Sequence, residues 1–261
     1  MRISLLKKAV VMLLCGGFIF TASCSEKQED NATMSETSTA AETISETTAP
    51  RNYDKVCALT FDDGPNNDTT PLVLDKLEKY GVKASFFLIG QNINSTTEDV
   101  VKRAYDMGCE INNHSKTHSD MTKMSGDDIA AEIKVTNEKI EKITGEQPHF
   151  FRPPYIAAND TMFEYIDLPF IAGYGATDWE DSVSADERAE KIIAQAKDGY
   201  IILLHDMNGN SKTVEALDTI IPMLLDEGYE FVTVSELFEK KNIEPADRII
   251  YSYAEQTNMY A

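Results

Sequence analysis

From residue 54 onward the chain alternates between two hydrophobic periods. Short apolar runs occupy 56–61, 84–88, 110–113, 150–152, 170–172, 200–204 and 230–234. Between them, 71–80, 98–107, 125–144, 161–166, 185–197 and 213–227 carry apolar residues three and four apart, the spacing of a helix with one buried face. Alternation of this kind over about 200 residues predicts a parallel sheet covered by helices. Seven strand candidates favour a distorted (β/α) barrel of about seven parallel strands, a single domain over 54–261, over an open doubly wound sheet. No internal repeat is visible. No Gly-x-Gly-x-x-Gly follows the first strand and no Walker-type loop occurs, so a nucleotide site lacks support. In a barrel the working residues sit just past the C-terminal ends of the strands.

Polar clusters fall at those ends. After the first strand stands Thr60-Phe61-Asp62-Asp63-Gly64-Pro65. Asp, Gly and Pro favour turns and caps. The alternative is a functional carboxylate pair, whose mutual repulsion calls for a compensating cation. After the third strand, His114 and His118 are four apart in Asn113-His114-Ser115-Lys116-Thr117-His118, and a helical turn there would face both imidazoles one way. Solvated loop histidines are the other reading. With Asp62 and Asp63 at the same mouth, two histidines and a carboxylate form the donor set of a hydrolytic divalent metal site. Arg152 leaves the fourth strand ahead of Pro153 and Pro154, where it could hold an aspartate ionised. His205 leaves an apolar strand into the same mouth, a candidate general acid. Asp178 and Trp179, the only Trp of the chain, follow the fifth strand. His149 precedes the fourth strand end on the opposite side and takes no role. No Gly-x-Ser-x-Gly nucleophile motif occurs.

The balance of charges narrows the partners. Asp and Glu total 44 against 24 Lys and Arg, for a formal net charge of −20. Phosphate contacts need clustered cations, so the acidic balance argues against nucleic acid as a partner and against simple electrostatic binding to an anionic membrane. Four cysteines are too few for a disulfide scaffold. Cys57 and Cys109 begin the first and third strands, and read as buried thiols. Residues 1–24 place Arg2, Lys7 and Lys8 before an apolar run from 9 to 20, the pattern of an export signal. That run is shorter than the roughly 20 residues of a spanning helix. Thr21-Ala22-Ser23-Cys24 resembles a lipoprotein lipobox, with Thr21 in place of the usual Leu, and makes Cys24 the lipidation site. Residues 25–53 are Ser, Thr, Ala and Glu with almost nothing apolar, a disordered tether. The expected location is extracytoplasmic, anchored by lipid to the outer face of the cytoplasmic membrane or else secreted.

Taken together, the motifs at 60–65, 114–118, 152–155, 178–179 and 203–206 resemble, in order and spacing, the polysaccharide deacetylase (NodB-homology) family, carbohydrate esterase family 4. The resemblance runs from about Cys57 to Phe238. The stretches 166–179 and 185–189 look like acetylxylan esterase or chitooligosaccharide deacetylase members. It implies a divalent metal, zinc or cobalt, on Asp63, His114 and His118. It implies Asp62 as general base, paired with Arg152, and His205 as general acid, oriented by Asp178. The backbone N–H of Tyr155 would help hold the oxyanion, and Trp179 and Leu203 would wall the acetyl methyl pocket.

Four positions depart from the family pattern: Cys109, Asn112, Ile156 and Gly175. None is a predicted ligand or proton-transfer group. The expectation is an exported hydrolase that removes N-acetyl groups from a GlcNAc-containing glycan such as peptidoglycan or chitooligosaccharide. Its alternatives are an O-acetyl esterase acting on acetylated xylan and a non-catalytic surface glycan binder. Asp62 with His205 argues against the last, since a pure binder has no use for either. The oligomeric state is not readable.

Overall fold

In this computed structural model, residues 53–259 are described. The expected leader, Cys24 and nearly all of the tether lie outside them. Fifteen strands and α-helices follow in order, with three short 3-10 turns between them: β1 (Lys55–Asp62), α1 (Thr69–Tyr80), β2 (Ser85–Leu88), α2 (Glu98–Asp106), β3 (Glu110–Asn113), α3 (Gly126–Thr144), α4 (Asp160–Tyr165), β4 (Phe170–Ile171), β5 (Tyr174–Gly175), α5 (Ala185–Gln195), β6 (Tyr200–His205), α6 (Ser211–Asp226), β7 (Tyr229–Val232), α7 (Val234–Lys241) and β8 (Ile250–Tyr251). This is the expected α/β architecture. The helices begin where the sequence supplies caps. Ser125 caps α3, and Ser184 with Glu187 forms a reciprocal capping box on α5. Gly81 and Gly145 end α1 and α3 with φ of 64° and 82°.

The six-stranded sheet runs β3-β2-β1-β6-β5, with β7 on β1, every pair parallel. β2 pairs with the C-terminal half of β1 and β7 with its N-terminal half. From β3 the pairing passes to β4 through Phe151 alone, which bridges Asn113 on one side and Phe170 on the other. β4 pairs with β8, and an antiparallel bridge joins Tyr200 to Tyr253. The expected fourth strand at 150–152 is therefore one bridging residue. β5 and β8, of two residues each, were not among the seven expected runs. The run at 230–234 ends at Val232, and Val234 opens α7.

A strand turns alternate side chains to opposite faces. Cys57, Leu59 and Phe61 of β1, and Ile202 and Leu204 of β6, pack in the large core with α1 and α6 residues such as Leu77 and Leu217. Ala58 and Ile201 lie in a second core with Phe87, Val232 and Tyr251. Each fully buried apolar side chain of this size contributes about 1.5–3 kcal/mol, which fixes the register firmly. That register leaves Thr60, Asp62, Leu203 and His205 on the face away from α1 and α6. Cys57 and Cys109 are buried free thiols, as expected.

Candidate active site

Strand register delivers the polar residues to one mouth. Asp62 ends β1 directly opposite His205, which ends β6. One residue past β3, the backbone N–H of His114 donates to Leu88 O of β2 at 3.0 Å. Arg152 N–H donates to Asn113 O at 3.0 Å, which sets Arg152 beside that same strand end.

Asp63, His114 and His118 converge. One ligand atom from each lies within 4.8 Å of the others. Asp63 Oδ1 is 3.5 Å from His114 Nε2 and 3.5 Å from His118 Nε2. The segment joining the two histidines is not the helical turn that the spacing allowed. It is a loop in which Ser115 and His118 take φ of 64° and 58°. Ser115 Oγ accepts from His118 N at 2.9 Å, while Glu132 Oε2 accepts from Lys116 N and Thr117 N. Asp63 itself has φ 75°. Non-glycine residues hold this region at a cost of order 1–3 kcal/mol each, and only where their surroundings demand it.

The donor set fits a divalent cation. His114 Nδ1 faces Arg152 O at 2.7 Å, so that nitrogen carries the proton and Nε2 presents its lone pair to Asp63. Burial pushes the His114 imidazole below its ordinary pKa, against the pull of Asp62 and Asp63, so it is neutral. Asp63 Oδ1 is buried and accepts no hydrogen bond. A buried carboxylate oxygen without a hydrogen-bond donor, facing two imidazole nitrogens, is a donor set suited to a divalent cation.

Asp62 stands beside this trio, Oδ2 3.8 Å from His114 Nε2. Its Oδ1 accepts from Arg152 Nη1 at 2.5 Å, and both side chains are buried. Burial opposes the charge on Asp62. The Arg152 guanidinium, with the charged His205 beyond it, outweighs burial and holds the carboxyl below its usual range. Arg152 is fixed in turn by Ala172 O at 2.6 Å and by the Phe87 ring 4.0 Å from its guanidinium carbon. One residue thus orients Asp62 through its side chain and His114 through its carbonyl.

Across the mouth, Asp178 is fully buried and grips His205 twice, at Nδ1 and at the backbone N–H, both at 2.8 Å. Thr213 Oγ1 donates to Asp178 Oδ2 at 2.7 Å. The guanidinium of Arg188 donates to Thr213 Oγ1 and Asn210 Oδ1. Burial disfavours the imidazolium, but the Asp178 hydrogen bond and charge, with Asp62 and Asp63, raise His205 to about 9. It is protonated at neutral pH.

A cavity of about 480 Å³ joins these groups, its wall built by Pro153, Tyr155, Ile156, Trp179 and Leu203 around Asp62, Asp63, His114, His118 and His205. Every residue expected at the site lies in this wall or directly behind it, Arg152 and Asp178 being the two behind. Trp179 is not core: it is 48% exposed and stands edge-on to His205, ring centroids 5.3 Å apart. Tyr155 is 67% exposed and edge-on to His118 at 4.7 Å. His149, given no role, contacts Glu110 and Ser235 away from this cavity.

Sequence reasoning assigned nothing to Thr213, Asn210 and Arg188, whose only signal was an acceptor at Asp178 waiting for donors. It also passed over Asp206. That residue is fully buried, its Oδ2 accepting from Thr70 Oγ1 at 2.5 Å and its N–H donating to Asp62 O at 3.0 Å. Burial, then Asp63 and Asp62, raise its carboxyl to about 7.

The sequence profile of the polysaccharide deacetylase family matches residues 49–168. A family 4 acetyl xylan esterase from Clostridium thermocellum, solved with a cobalt ion, superposes with a TM-score of 0.76 at 46% identity, covering 77% of this chain and all of that one. The chain belongs to the polysaccharide deacetylase family. A bifunctional xylanase/deacetylase of Pseudobutyrivibrio xylanivorans is 56% identical to it over 191 residues, 73% of this chain and 32% of the relative. The peptidoglycan-N-acetylglucosamine deacetylase PgdA of Listeria monocytogenes is 39% identical over 188 residues, 72% of this chain and 40% of the relative. The chain therefore spans about a third to two fifths of the length of these two family members. The stretches 60–65, 114–118, 152–155, 178–179 and 203–206, which carried the resemblance, meet around or directly behind this cavity.

Proposed function

We propose that this chain is a metal-dependent hydrolase that removes O-acetyl groups from acetylated xylan. The observation that carries the reading is the convergence of Asp63, His114 and His118 within 4.8 Å, flanked by Asp62 and His205. The choice of xylan rests on identity: 56% and 46% to proteins named for xylan, against 39% to one named for peptidoglycan.

Asp63, His114 and His118 would hold the cation. When bound, it supplies a Lewis acid that polarises the acetyl carbonyl and acidifies water. Asp62, kept ionised by Arg152, accepts the proton of the attacking water. The backbone N–H of Tyr155 donates to the carbonyl oxygen as it becomes an oxyanion. His205, charged and held by Asp178, gives its proton to the departing sugar oxygen. Leu203 and Trp179 enclose the methyl group and exclude water from it. The residues need no covalent acyl intermediate. Asp62 and His205 both facing the cavity supports catalysis over glycan binding alone.

The second reading, removal of N-acetyl groups from peptidoglycan or chitooligosaccharide, draws on the 39% relative and uses the same attack. The leader-like residues 1–24 support export, with Cys24 as the anchor. Incubation with zinc or cobalt, scoring acetate from acetylated xylan and free amine from chitooligosaccharide and peptidoglycan, separates the two readings. Acetate from xylan alone is expected. Free amine without xylan acetate reverses the substrate, and no release from a metal-loaded protein removes the activity.

A further inference from the structure

The loop that carries His114 and His118 is gripped from behind by α3. Glu132, in the middle of that helix, is buried, with 8% of its surface exposed. Its Oε2 accepts from three donors of one short segment: Lys116 N at 3.0 Å, Thr117 N at 2.8 Å and Thr117 Oγ1 at 3.0 Å. None of the three is a charged side chain. A carboxylate taken out of water without an ion pair is costly unless hydrogen bonds satisfy it. These come from the two residues that separate Ser115 from His118. Successive backbone N–H groups around one anion make a concavity of fixed shape.

The residues on either side of that concavity are the strained ones. Ser115 and His118 hold φ of 64° and 58°, which non-glycine residues keep only where their surroundings impose it. A second tie runs to the same helix. Asn113 Oδ1 accepts from Ser115 N at 2.7 Å, while Asn113 Nδ2 donates to Ile133 O at 3.0 Å and to Asn137 Oδ1 at 2.6 Å. The parts are packed without slack. A Cβ on Gly90, in the loop after β2, would collide with Thr136 Oγ1 of α3 and stand 3.2 Å from Lys116 Cα. Ile129, Ile133 and Ile140, all buried, seat α3 in turn.

The two histidines depend on this helix unequally. His114 is fixed from the sheet side, its N–H donating to Leu88 O and its Nδ1 facing Arg152 O. His118 is held by its own loop, through Ser115 Oγ, and by the edge of the exposed Tyr155 ring. We infer that Glu132 is a positioning residue for the cation: it fixes the turn that points His118 Nε2 at Asp63, so that binding does not have to order the loop. The inference rests on the cation reading of Asp63, His114 and His118. It places one of the three ligands under the control of a helix that does not line the cavity.

The test titrates cobalt(II) by calorimetry into metal-free wild type, Glu132→Ala, His118→Ala and the double variant. Glu132→Ala should weaken Kd by about 10–100-fold, the loss that follows when a ligand's support is removed. His118→Ala should weaken it at least as much. The double variant should bind within about twofold of His118→Ala, because a support has nothing to hold once its ligand is gone. Glu132→Gln keeps an oxygen acceptor of the same reach and should recover most of the loss. A Kd for Glu132→Ala within about twofold of wild type overturns the inference. So does a double variant in which the two losses multiply in full, since Glu132 would then act through another ligand or through the fold at large. Equal losses in Glu132→Gln and Glu132→Ala overturn it too, because charge and not hydrogen bonding would carry the effect. Should Glu132→Ala fail to fold, Thr117→Val deletes one of the three donors and predicts a Kd about fivefold weaker; an unchanged Kd there overturns the inference. A wild type that binds cobalt and releases no acetate removes the hydrolase reading and leaves this one standing, whereas a wild type that takes up no cobalt removes both.

Discussion

Asp62 and His205 are register partners, sitting opposite each other at the C-terminal ends of β1 and β6. The proton acceptor and the proton donor of the proposed reaction are thus spaced by a backbone ladder and not by loops. Asp62→Asn keeps the shape and loses the base. The expected result is a fall in kcat of about 10²–10⁴, the range of general base catalysis, with the metal content per chain unchanged. Turnover close to wild type at full metal loading would show that another group takes the proton.

His205 must be charged to donate, so activity falls as pH rises through its pKa. Asp178 is the principal partner that lifts that pKa to about 9, against burial. Asp178→Asn removes the anion, and the imidazole loses its proton at lower pH. The alkaline limb of kcat/KM against pH should therefore move toward neutrality. A limb that stays in place assigns it to some other group.

Binding to the folded chain alone makes a cation stabilising. At a hundredfold excess over Kd the gain is about 2.7 kcal/mol, visible as a rise in melting temperature on adding zinc or cobalt. His118→Ala should abolish most of that rise. This histidine is partly exposed, so truncation should leave the fold of the apoprotein in place. A variant that gains as much as the wild type places the cation elsewhere.

Gly64 has no room for a methyl group. A Cβ there would stand 2.6 Å from Asp206 Oδ2 and 2.8 Å from Oδ1. Gly64→Ala should cost about 1–3 kcal/mol by overpacking, read from denaturant midpoints. Combined with Asp206→Ala it should cost less than the sum of the two single changes. Strict additivity would mean that the carboxylate can swing away freely.

Much of the site was readable because apolar strands announce where they end, and the residues past those ends were few and chemically pointed. What escaped had weak local signals. β5 and β8 are two residues long, too short for any period to show. Phe151 carries the pairing between β3 and β4 alone, so 150–152 looked like a full strand. Val234 continues the apolar run of β7 yet starts α7, because Thr233 and Glu236 form a capping box there. The spacing of His114 and His118 was informative for the wrong reason: a loop with left-handed residues brings them together, not a helix. Asp206 was hidden by its neighbour His205.

Arg152 serves two masters. Its guanidinium grips Asp62 while its own carbonyl oxygen sets the tautomer of His114. Drift in this one backbone position would detune water activation and cation affinity at the same time, so the enzyme has little freedom to adjust either property separately. A redesign that seeks a different ion should leave this arginine alone and work from the His118 side, where the loop is open to solvent.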